Sequence, residues 1–136
     1  MAEKTDIKVD GYVVVQAGVK CGVGYAVRSN GDQEARDFYL TLKKTNPKAL
    51  AGLRHVFEEL MKFGVVQDET KFNKVIDKIW EAKHHRSGAR VFCFHWNGAW
   101  LATHGWMKKK QKTRPEDKQR ALEIMKEHID RFGNSV

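Results

Sequence analysis

The sequence predicts an α+β fold built around a mainly antiparallel sheet. The first observation is the pair Asn97-Gly98, which lies between two aromatic and β-branched runs at residues 89–96 and 99–106. Because a type I′ turn needs positive φ at both central residues, Asn-Gly between such runs is the strongest short-range hairpin signal. The second observation is that two consecutive amphipathic helical patterns precede this hairpin and one follows it. Hairpin-connected strands with segregated helices are typical of α+β domains.

The length of 136 residues suits one hydrophobic core, so we expect a single domain over residues 1–136. Charged residues make up 31% and hydrophobic residues 41%, which excludes a wholly disordered chain. No signal peptide and no apolar run near the roughly 20 residues of a membrane span are found. The two cysteines, Cys21 and Cys93, form no CxxC pair. The sequence therefore predicts a reduced, cytoplasmic protein without membrane attachment.

The first part of the chain is expected to contribute strands. Residues 1–10 are polar, and we expect a frayed start there. Residues 11–16 predict a strand from their β-branched content. Residues 22–28 predict a second strand that two glycines weaken, and residues 29–32 predict a turn.

A helical hairpin is predicted next. The first helix covers about residues 33–44, and the second runs from Pro47 to about residue 63. Asn46 suits the N-cap of the second helix, and Pro47 suits its first turn, where its missing N–H is not needed. Gly64 is placed as the C-terminal stop. The second helix has an amphipathic stripe of Leu50, Leu53, Phe57, Leu60 and Met61.

The stretch that follows has two interpretations. Apolar residues recur there at a helical spacing: Phe72, Val75, Ile76, Ile79 and Trp80. Residues 78–83 also fit a strand, with Ile79 and Trp80 on opposite faces, and the pattern leaves both interpretations open. The last helix is predicted to start near Thr113, which has capping-box spacing to Glu116. The predicted order is β–(β)–α–α–β–β–β–α.

Positive charge is concentrated in one segment. The net charge is +8, and residues 104–120 carry +5 of it. The segment contains seven cations and two acids: Lys108, Lys109, Lys110, Lys112, Arg114, Lys118 and Arg120 against Glu116 and Asp117. A local cluster favours a polyanionic partner such as nucleic acid or the ribosome. The alternative is a solvated basic surface.

Four consecutive segments together resemble one known family. Residues 78–83 are similar to a strand of pattern aromatic–Glu–x–Arg, and residues 89–94 to an arginine-bearing strand. Residues 101–109 are close to a His-Gly-aromatic-x-Lys-Lys segment, and residues 110–115 match a Lys-x-Gln-Lys-Thr-x-Pro run nearly residue for residue. The chain resembles the RelE/ParE toxin superfamily, nearest to its HigB-like, phage-derived branch. About 100 of the 136 residues are covered, which leaves residues 1–30 as an N-terminal strand extension of uncertain role.

The resemblance implies a RelE-like fold, with a small twisted sheet, a helical hairpin on its N-terminal side and a C-terminal helix. It also implies the toxin of a type II toxin–antitoxin system that acts as an endoribonuclease on mRNA, commonly on the ribosome. The implied partners are mRNA, the ribosome and a cognate antitoxin protein, and no cofactor is implied.

Cleaving RNA without a metal requires proton transfer and stabilisation of a charged transition state, which clustered Lys and Arg can supply. Arg90 matches the family's strand arginine and can bind phosphate bidentately. Lys108, Lys109 and Lys112 align with the basic segment, and we assign them jointly to phosphate binding and proton transfer. Four further cations are predicted to bind RNA: Lys83, Arg86, Lys110 and Arg114. The alternatives are a surface arginine, a solvated lysine-rich loop and a docking surface for the antitoxin.

His104 is a candidate general acid or base, although its apolar strand is equally consistent with a structural, hydrogen-bonded histidine. Three other histidines lack acidic or cysteine partners in ligand spacing, so no metal site is predicted: His84, His85 and His95. Three tryptophans could stack on bases, but their alternation along strands favours the core: Trp96, Trp100 and Trp106.

A non-catalytic binder on the same fold is the second interpretation. Some RelE-type enzymes use a tyrosine near the C-terminus, whereas this chain has no tyrosine after Tyr39. The second interpretation is therefore a ParE-like inhibitor of DNA gyrase, or a protein that docks RNA or an antitoxin without cutting. The basic cluster with Arg90 favours the nuclease, because a gyrase inhibitor does not need groups that stabilise phosphate cleavage.

Overall fold

The computed structural model describes residues 7–9, 12–14, 21–108 and 115–134. Along these residues the chain forms β1 (Ile7–Val9), β2 (Tyr12–Val14), β3 (Gly22–Tyr25), α1 (Glu34–Thr45), α2 (Pro47–Phe63), β4 (Phe72–Ile76), β5 (Ile79–His84), β6 (Ala89–Trp96), β7 (Ala99–Met107) and α3 (Pro115–Phe132).

The main sheet has the strand order β3-β7-β6-β5-β4. Strands β4 to β7 pair antiparallel through consecutive hairpins. β3 lies parallel to β7, with Gly22 opposite Ala99. α1, α2 and β4 to β6 lie between these two strands in the chain, and parallel strands need such a long connection. β1 and β2 form a separate antiparallel pair. The predicted α+β fold with a mainly antiparallel sheet and three helices is confirmed.

Each face of the sheet has its own hydrophobic core. α1 and α2 pack on one face, where Leu50, Leu53 and Leu60 meet Val91 and Cys93 of β6. α3 packs on the other face. Ala121, Ile124 and Met125 on the apolar side of α3 share a core with Phe92 and Phe94 of β6 and Leu101 of β7. Alternate residues along β6 therefore face different helices, as strand geometry requires.

Local signals in the sequence explain the sharpest boundaries. Asn97 and Gly98 have φ of 47° and 77°, so the predicted type I′ turn joins β6 to β7. The Asn46 side chain accepts a hydrogen bond from the N–H of Ala49 at 3.1 Å and caps α2. Gly64 ends α2 at φ 77°. These three predictions are confirmed.

Three expectations need correction. β1 lies within residues 1–10, where a frayed start was expected, and β3 ends at Tyr25 rather than continuing to residue 28. For residues 72–84 the helical interpretation is wrong and the strand interpretation of residues 78–83 is confirmed, because Asp77 at φ 48° turns the chain between β4 and β5. The two strands pair antiparallel, with a register shift between Lys74 and Ile76.

The start of the last helix is partly outside the described residues. α3 is described from Pro115, whereas Thr113 and its capping role lie outside. Part of the stretch expected to be an N-terminal extension, residues 1–30, belongs to the main sheet, since β3 pairs with β7. The single domain over residues 1–136 stays a prediction.

Candidate active site

Arg90 lies at one end of the sheet, on the face that α3 partly covers. It stands opposite Lys83 of β5 and opposite Trp106 of β7. One row further along β6, Phe92 stands opposite Glu81 and His104. Because side chains two apart on a strand share a face, these two rows form one surface of adjacent side chains. We call this surface the Arg90 site and define it by Lys83, Arg90, Trp106, Glu81, Phe92 and His104.

The Arg90 side chain is buried, and some of its hydrogen-bond donors have no acceptor in the described part of the chain. The residue is 5% exposed, and its Nε and Nη1 find no hydrogen-bond partner in the described part of the chain. Burial lowers the pKa of Arg90, whereas the negative charge of Glu81 raises it. Buried polar groups are nearly always hydrogen-bonded, so two guanidinium nitrogens without a partner need an explanation. An anion beside the guanidinium would offer acceptors for such N–H groups.

Lys83 is affected by the same cluster of charges. Burial lowers its pKa, and the positive charges of Arg90 and Lys108 lower it further, against the raising effect of Glu81. A lysine with a lowered pKa can give up its proton nearer to neutral pH than an exposed lysine can. The structure therefore brings three of the residues singled out from the sequence within electrostatic range of each other: Lys83, Arg90 and Lys108.

The exit of β7 is tied to the turn between β5 and β6. The N–H of Lys108 donates to the carbonyl of Gly88 at 2.7 Å, and the N–H of Gly88 donates to the carbonyl of His84 at 3.0 Å. A side chain at Gly88 would meet the Lys108 carbonyl at 2.7 Å, so this contact needs glycine. Arg86 is exposed on the same turn. The basic segment that follows Met107 therefore starts from an anchored position beside the Arg90 site.

His104 is enclosed between β7 and α3. It is 3% exposed, and its Nδ1 lies 3.2 Å from the Thr103 hydroxyl. Its Nε2 lies 3.4 Å from the buried Asp117 carboxylate, which is long for a hydrogen bond. Burial lowers the pKa of His104 to about 4, although Asp117 opposes the shift. The imidazole is thus neutral at physiological pH and links β7 to the first turn of α3.

The remaining predicted residues lie outside the described part of the chain: Lys109, Lys110, Lys112 and Arg114. They occupy the connection between Lys108, at the end of β7, and Pro115, the first residue of α3. Their assigned roles stay predictions.

Glu81 was not chosen as a site residue from the sequence. It is 5% exposed and lies beside Lys83 and Arg90 in the Arg90 site. The available signal was its position two residues before Lys83 on a predicted strand, which puts both side chains on one face.

The three tryptophans predicted to belong to the core are buried, with Trp96, Trp100 and Trp106 exposed by 5%, 8% and 9%. Among the described residues, no cluster of three or more His, Cys, Asp or Glu side chains is arranged to hold a metal ion. None of the described helices is long and apolar enough to cross a membrane.

An apolar cavity of about 580 Å³ lies on the opposite face of the sheet, between β3, α1 and α2. Tyr25, Tyr39 and Phe57 contribute to its lining, and Arg54 and Glu58 bring charges of both signs. Because its lining is mainly apolar and includes the acid Glu58 beside Lys43 and Arg54, this cavity suits a phosphate less well than the Arg90 site does. The Arg90 site is therefore the better candidate for acting on a polyanion.

A protein-family model described as "Phage derived protein Gp49-like (DUF891)" matches residues 40–126, which is more than half of the chain. The match begins within α1 and ends within α3, so it includes every strand that contributes to the Arg90 site. A search of curated proteins found no match.

Proposed function

Because the chain belongs to the Gp49-like family of phage-derived proteins, which is part of the RelE/HigB-type toxin family, we propose that it is an endoribonuclease of the HigB-like branch. The Gp49-like family is a family of toxin–antitoxin toxins, which implies a cognate antitoxin as partner. The proposal adds the activity: cleavage of mRNA, on the ribosome, by metal-independent chemistry.

The observation that carries this proposal is the unsatisfied guanidinium of Arg90. Its Nε and Nη1 are buried without partners among the described residues, and Lys83 and Lys108 lie within electrostatic range. A phosphodiester offers oxygen acceptors for unpaired guanidinium N–H groups and a negative charge for all three cations. Donors fixed in a water-excluded site stabilise charge that develops in a transition state more than the same donors do in water.

The proposed reaction is a transesterification within the RNA. The 2′-oxygen loses its proton and attacks the adjacent phosphorus, and the bond from phosphorus to the 5′-oxygen breaks. The products are a 2′,3′-cyclic phosphate and a 5′-hydroxyl, so one proton must reach the leaving oxygen. Arg90 is assigned to the extra negative charge on the phosphorane-like transition state.

The lysines are assigned to phosphate binding and to protonation of the leaving oxygen. Lys83 is the proton donor that its surroundings support, since burial and neighbouring cations lower its pKa. Lys108, Lys109 and Lys112 are proposed to share the phosphate contacts and this proton transfer. Arg86, Lys110 and Arg114 are proposed to bind the RNA backbone, where contacts position the substrate.

His104 is a weaker candidate for the acid or base than the sequence indicated. Its pKa of about 4 leaves it neutral at physiological pH, and its nitrogens face Thr103 and Asp117. We propose that it supports the geometry of β7 and α3 instead.

The test of the nuclease is induced expression in a bacterial host, with mapping of the 5′ ends of cellular transcripts. We expect growth arrest and new cuts within translated regions for the wild-type protein, and neither for Arg90→Ala. Arg36→Ala is the matched control, because Arg36 is an exposed arginine on α1. It should cut as the wild type does.

The gyrase inhibitor remains the second candidate, because the chain lacks a tyrosine after Tyr39. Growth arrest with intact transcripts and relaxed plasmid DNA would support it. Growth arrest that persists in Arg90→Ala would show that the activity does not need Arg90.

A further inference from the structure

Glu81 is a buried acid in a site whose other charged members are cations. It lies on β5 opposite Phe92, two residues before Lys83, and is 5% exposed. Its charge acts on the pKa values of both Arg90 and Lys83. The cleavage chemistry proposed above assigns phosphate binding and proton donation, but it leaves the proton of the 2′-hydroxyl without an acceptor.

The cations of the Arg90 site are poor proton acceptors. An ammonium and a guanidinium have N–H donors and no lone pair, so Arg90 and a charged Lys83 can only donate. Both ring nitrogens of His104 already face other groups. Nδ1 lies 3.2 Å from the Thr103 hydroxyl, and Nε2 lies 3.4 Å from the Asp117 carboxylate. Glu81 is the carboxylate of the site, and an ionised carboxylate accepts through two oxygens.

The neighbours of Glu81 on its own strand and on β6 carry positive charge. Taking a lone carboxylate out of water is costly, but positive charges nearby offset that cost. Lys83 lies on the same strand, and Arg90 lies diagonally across on β6. On the other neighbouring strand, β4, the residue opposite Glu81 is the uncharged Asn73. Across the row on β7 is His104, whose contact on α3 is Asp117.

From this placement we infer that Glu81 is the general base of the cleavage reaction, which rests on the proposed nuclease function. Its carboxylate takes the proton of the 2′-hydroxyl as the 2′-oxygen forms its bond to phosphorus. The bond from phosphorus to the 5′-oxygen breaks, and that oxygen receives a proton from the lysines. After release of the cyclic product, Glu81 returns its proton to water and a lysine regains one.

The same placement explains why Glu81 and Lys83 can work together. They are two residues apart on one strand, so their side chains leave the same face about 7 Å apart. A phosphodiester that Arg90 holds between Glu81 and Lys83 would present its 2′-oxygen to Glu81 and its 5′-oxygen to Lys83. An acid and a base on one rigid strand keep this spacing without help from a loop.

The experiment measures single-turnover cleavage of a defined mRNA on purified ribosomes between about pH 5.5 and 8.5. The proteins are wild type, Glu81→Gln and Glu81→Asp, with Glu59→Gln on α2 as the control for removal of an acid outside the site. We expect Glu81→Gln to slow cleavage by about 10²- to 10⁴-fold, which is the usual contribution of a general base. Glu81→Asp should recover part of the rate.

The pH dependence separates a base from a residue that only positions its neighbours. The wild-type and Glu81→Gln rates should depend differently on pH, because only the wild-type side chain can take the proton. A slower Glu81→Gln that keeps the wild-type pH profile, or one that cleaves at the wild-type rate, would overturn the inference.

Two controls keep the outcomes distinct. Circular dichroism and Tm should match between wild type and Glu81→Gln, and Glu81→Asp tests the role again if Glu81→Gln does not fold. Failure of the wild-type protein to cleave at any pH would overturn the proposed nuclease itself. Wild-type cleavage that does not depend on Glu81 would overturn only the assignment of the base.

Discussion

We expect the buried guanidinium of Arg90 to cost the fold some stability. Its guanidinium is 5% exposed, and two of its nitrogens are unpaired among the described residues. Leaving a buried donor unsatisfied costs about 1–3 kcal/mol. Functional sites are where proteins accept such a cost, because a group already buried and unpaired is ready for a ligand.

Replacing Arg90 with methionine should therefore separate stability from toxicity. Methionine fills similar space without N–H groups, but it also removes the positive charge near Glu81. Because these two effects oppose each other, we expect the free energy of unfolding of Arg90→Met to stay within about 1 kcal/mol of the wild-type value. Growth arrest should disappear. Urea denaturation and a growth assay measure the two effects.

Arg28→Met is the control for that comparison. Arg28 donates to Glu34 at 2.6 Å and to Glu127 at 2.8 Å, so its loss should lower stability by about 1–3 kcal/mol. An Arg90→Met protein that loses as much stability as Arg28→Met would show that Arg90 supports the fold.

Two buried histidines should make the fold sensitive to mild acid. Burial lowers the pKa of His104 and of His128 to about 4, while an unfolded histidine titrates near 6.5. Because the folded pKa is the lower one, the unfolded state binds more protons as the pH falls from 6.5 to 4. Above pH 6.5 the histidines do not lower the free energy of unfolding. Between pH 6.5 and 4 we expect the free energy of unfolding to decrease, by up to about 3 kcal/mol for each histidine.

His128→Gln tests this pH dependence. The Nδ1 of His128 accepts from the N–H of Val27 at 3.2 Å, and a glutamine oxygen can accept in its place. We expect the variant to lose less stability than the wild type between pH 7 and pH 4.5, measured by urea denaturation. Glu127 has a pKa lowered to about 2 mainly by its hydrogen bond with Arg28, so its contribution to stability is lost from about pH 4.5 downward and to the same extent in both proteins. Equal losses in both proteins would contradict the assignment to His128.

At the residue scale, the sequence indicated the cations of the site but not their environment. Arg90, Lys83 and Lys108 stood out because a strand and its exit carried them. The burial of Arg90 depends on strand register and on neighbours such as Trp106, which no local pattern records. Glu81 was overlooked because an acid beside cations usually indicates an ion pair on a solvated surface.

At the element scale, α2 begins at an N-cap that the sequence predicts. Asn46 accepts from the N–H of Ala49, and Pro47 begins the helix. We expect Asn46→Ala to lower the free energy of unfolding by about 1 kcal/mol, measured by urea denaturation. Asn46→Asp keeps an acceptor oxygen and should stay within a few tenths of a kcal/mol of wild type. Equal effects of the two changes would show that the cap does not stabilise α2.

Elements with strong local signals were predictable, and elements that depend on distant partners were not. The β6–β7 hairpin follows from Asn97-Gly98, whose φ values suit few other residue pairs. β4 was missed because its strand character comes from pairing with β5 and from Phe72 stacking on Trp80, with ring centroids 5.1 Å apart. The parallel pairing of β3 with β7 joins segments far apart in the chain, so no local pattern encodes it.

At the scale of the whole molecule, the sheet separates two surfaces of different chemistry. The Arg90 site lies on the α3 side, and the apolar cavity of about 580 Å³ lies on the α1–α2 side. Ion pairs of Arg28 and Arg120 with Glu34 join α3 to the start of α1 around one edge. The composition predicted a basic protein with a polyanionic partner, but only the fold places Lys83 and Arg90 together on one face of the sheet.

The central claim is that the Arg90 site cuts mRNA, and the most direct measurement uses purified components. Ribosomes carrying a defined mRNA are incubated with the wild-type protein or Arg90→Ala, and the RNA ends are mapped and tested for a 5′-hydroxyl. We expect new 5′-hydroxyl ends at the ribosome-bound codon with the wild-type protein, and intact RNA with Arg90→Ala. Intact RNA with the wild-type protein, together with inhibition of supercoiling by purified gyrase, would contradict the claim.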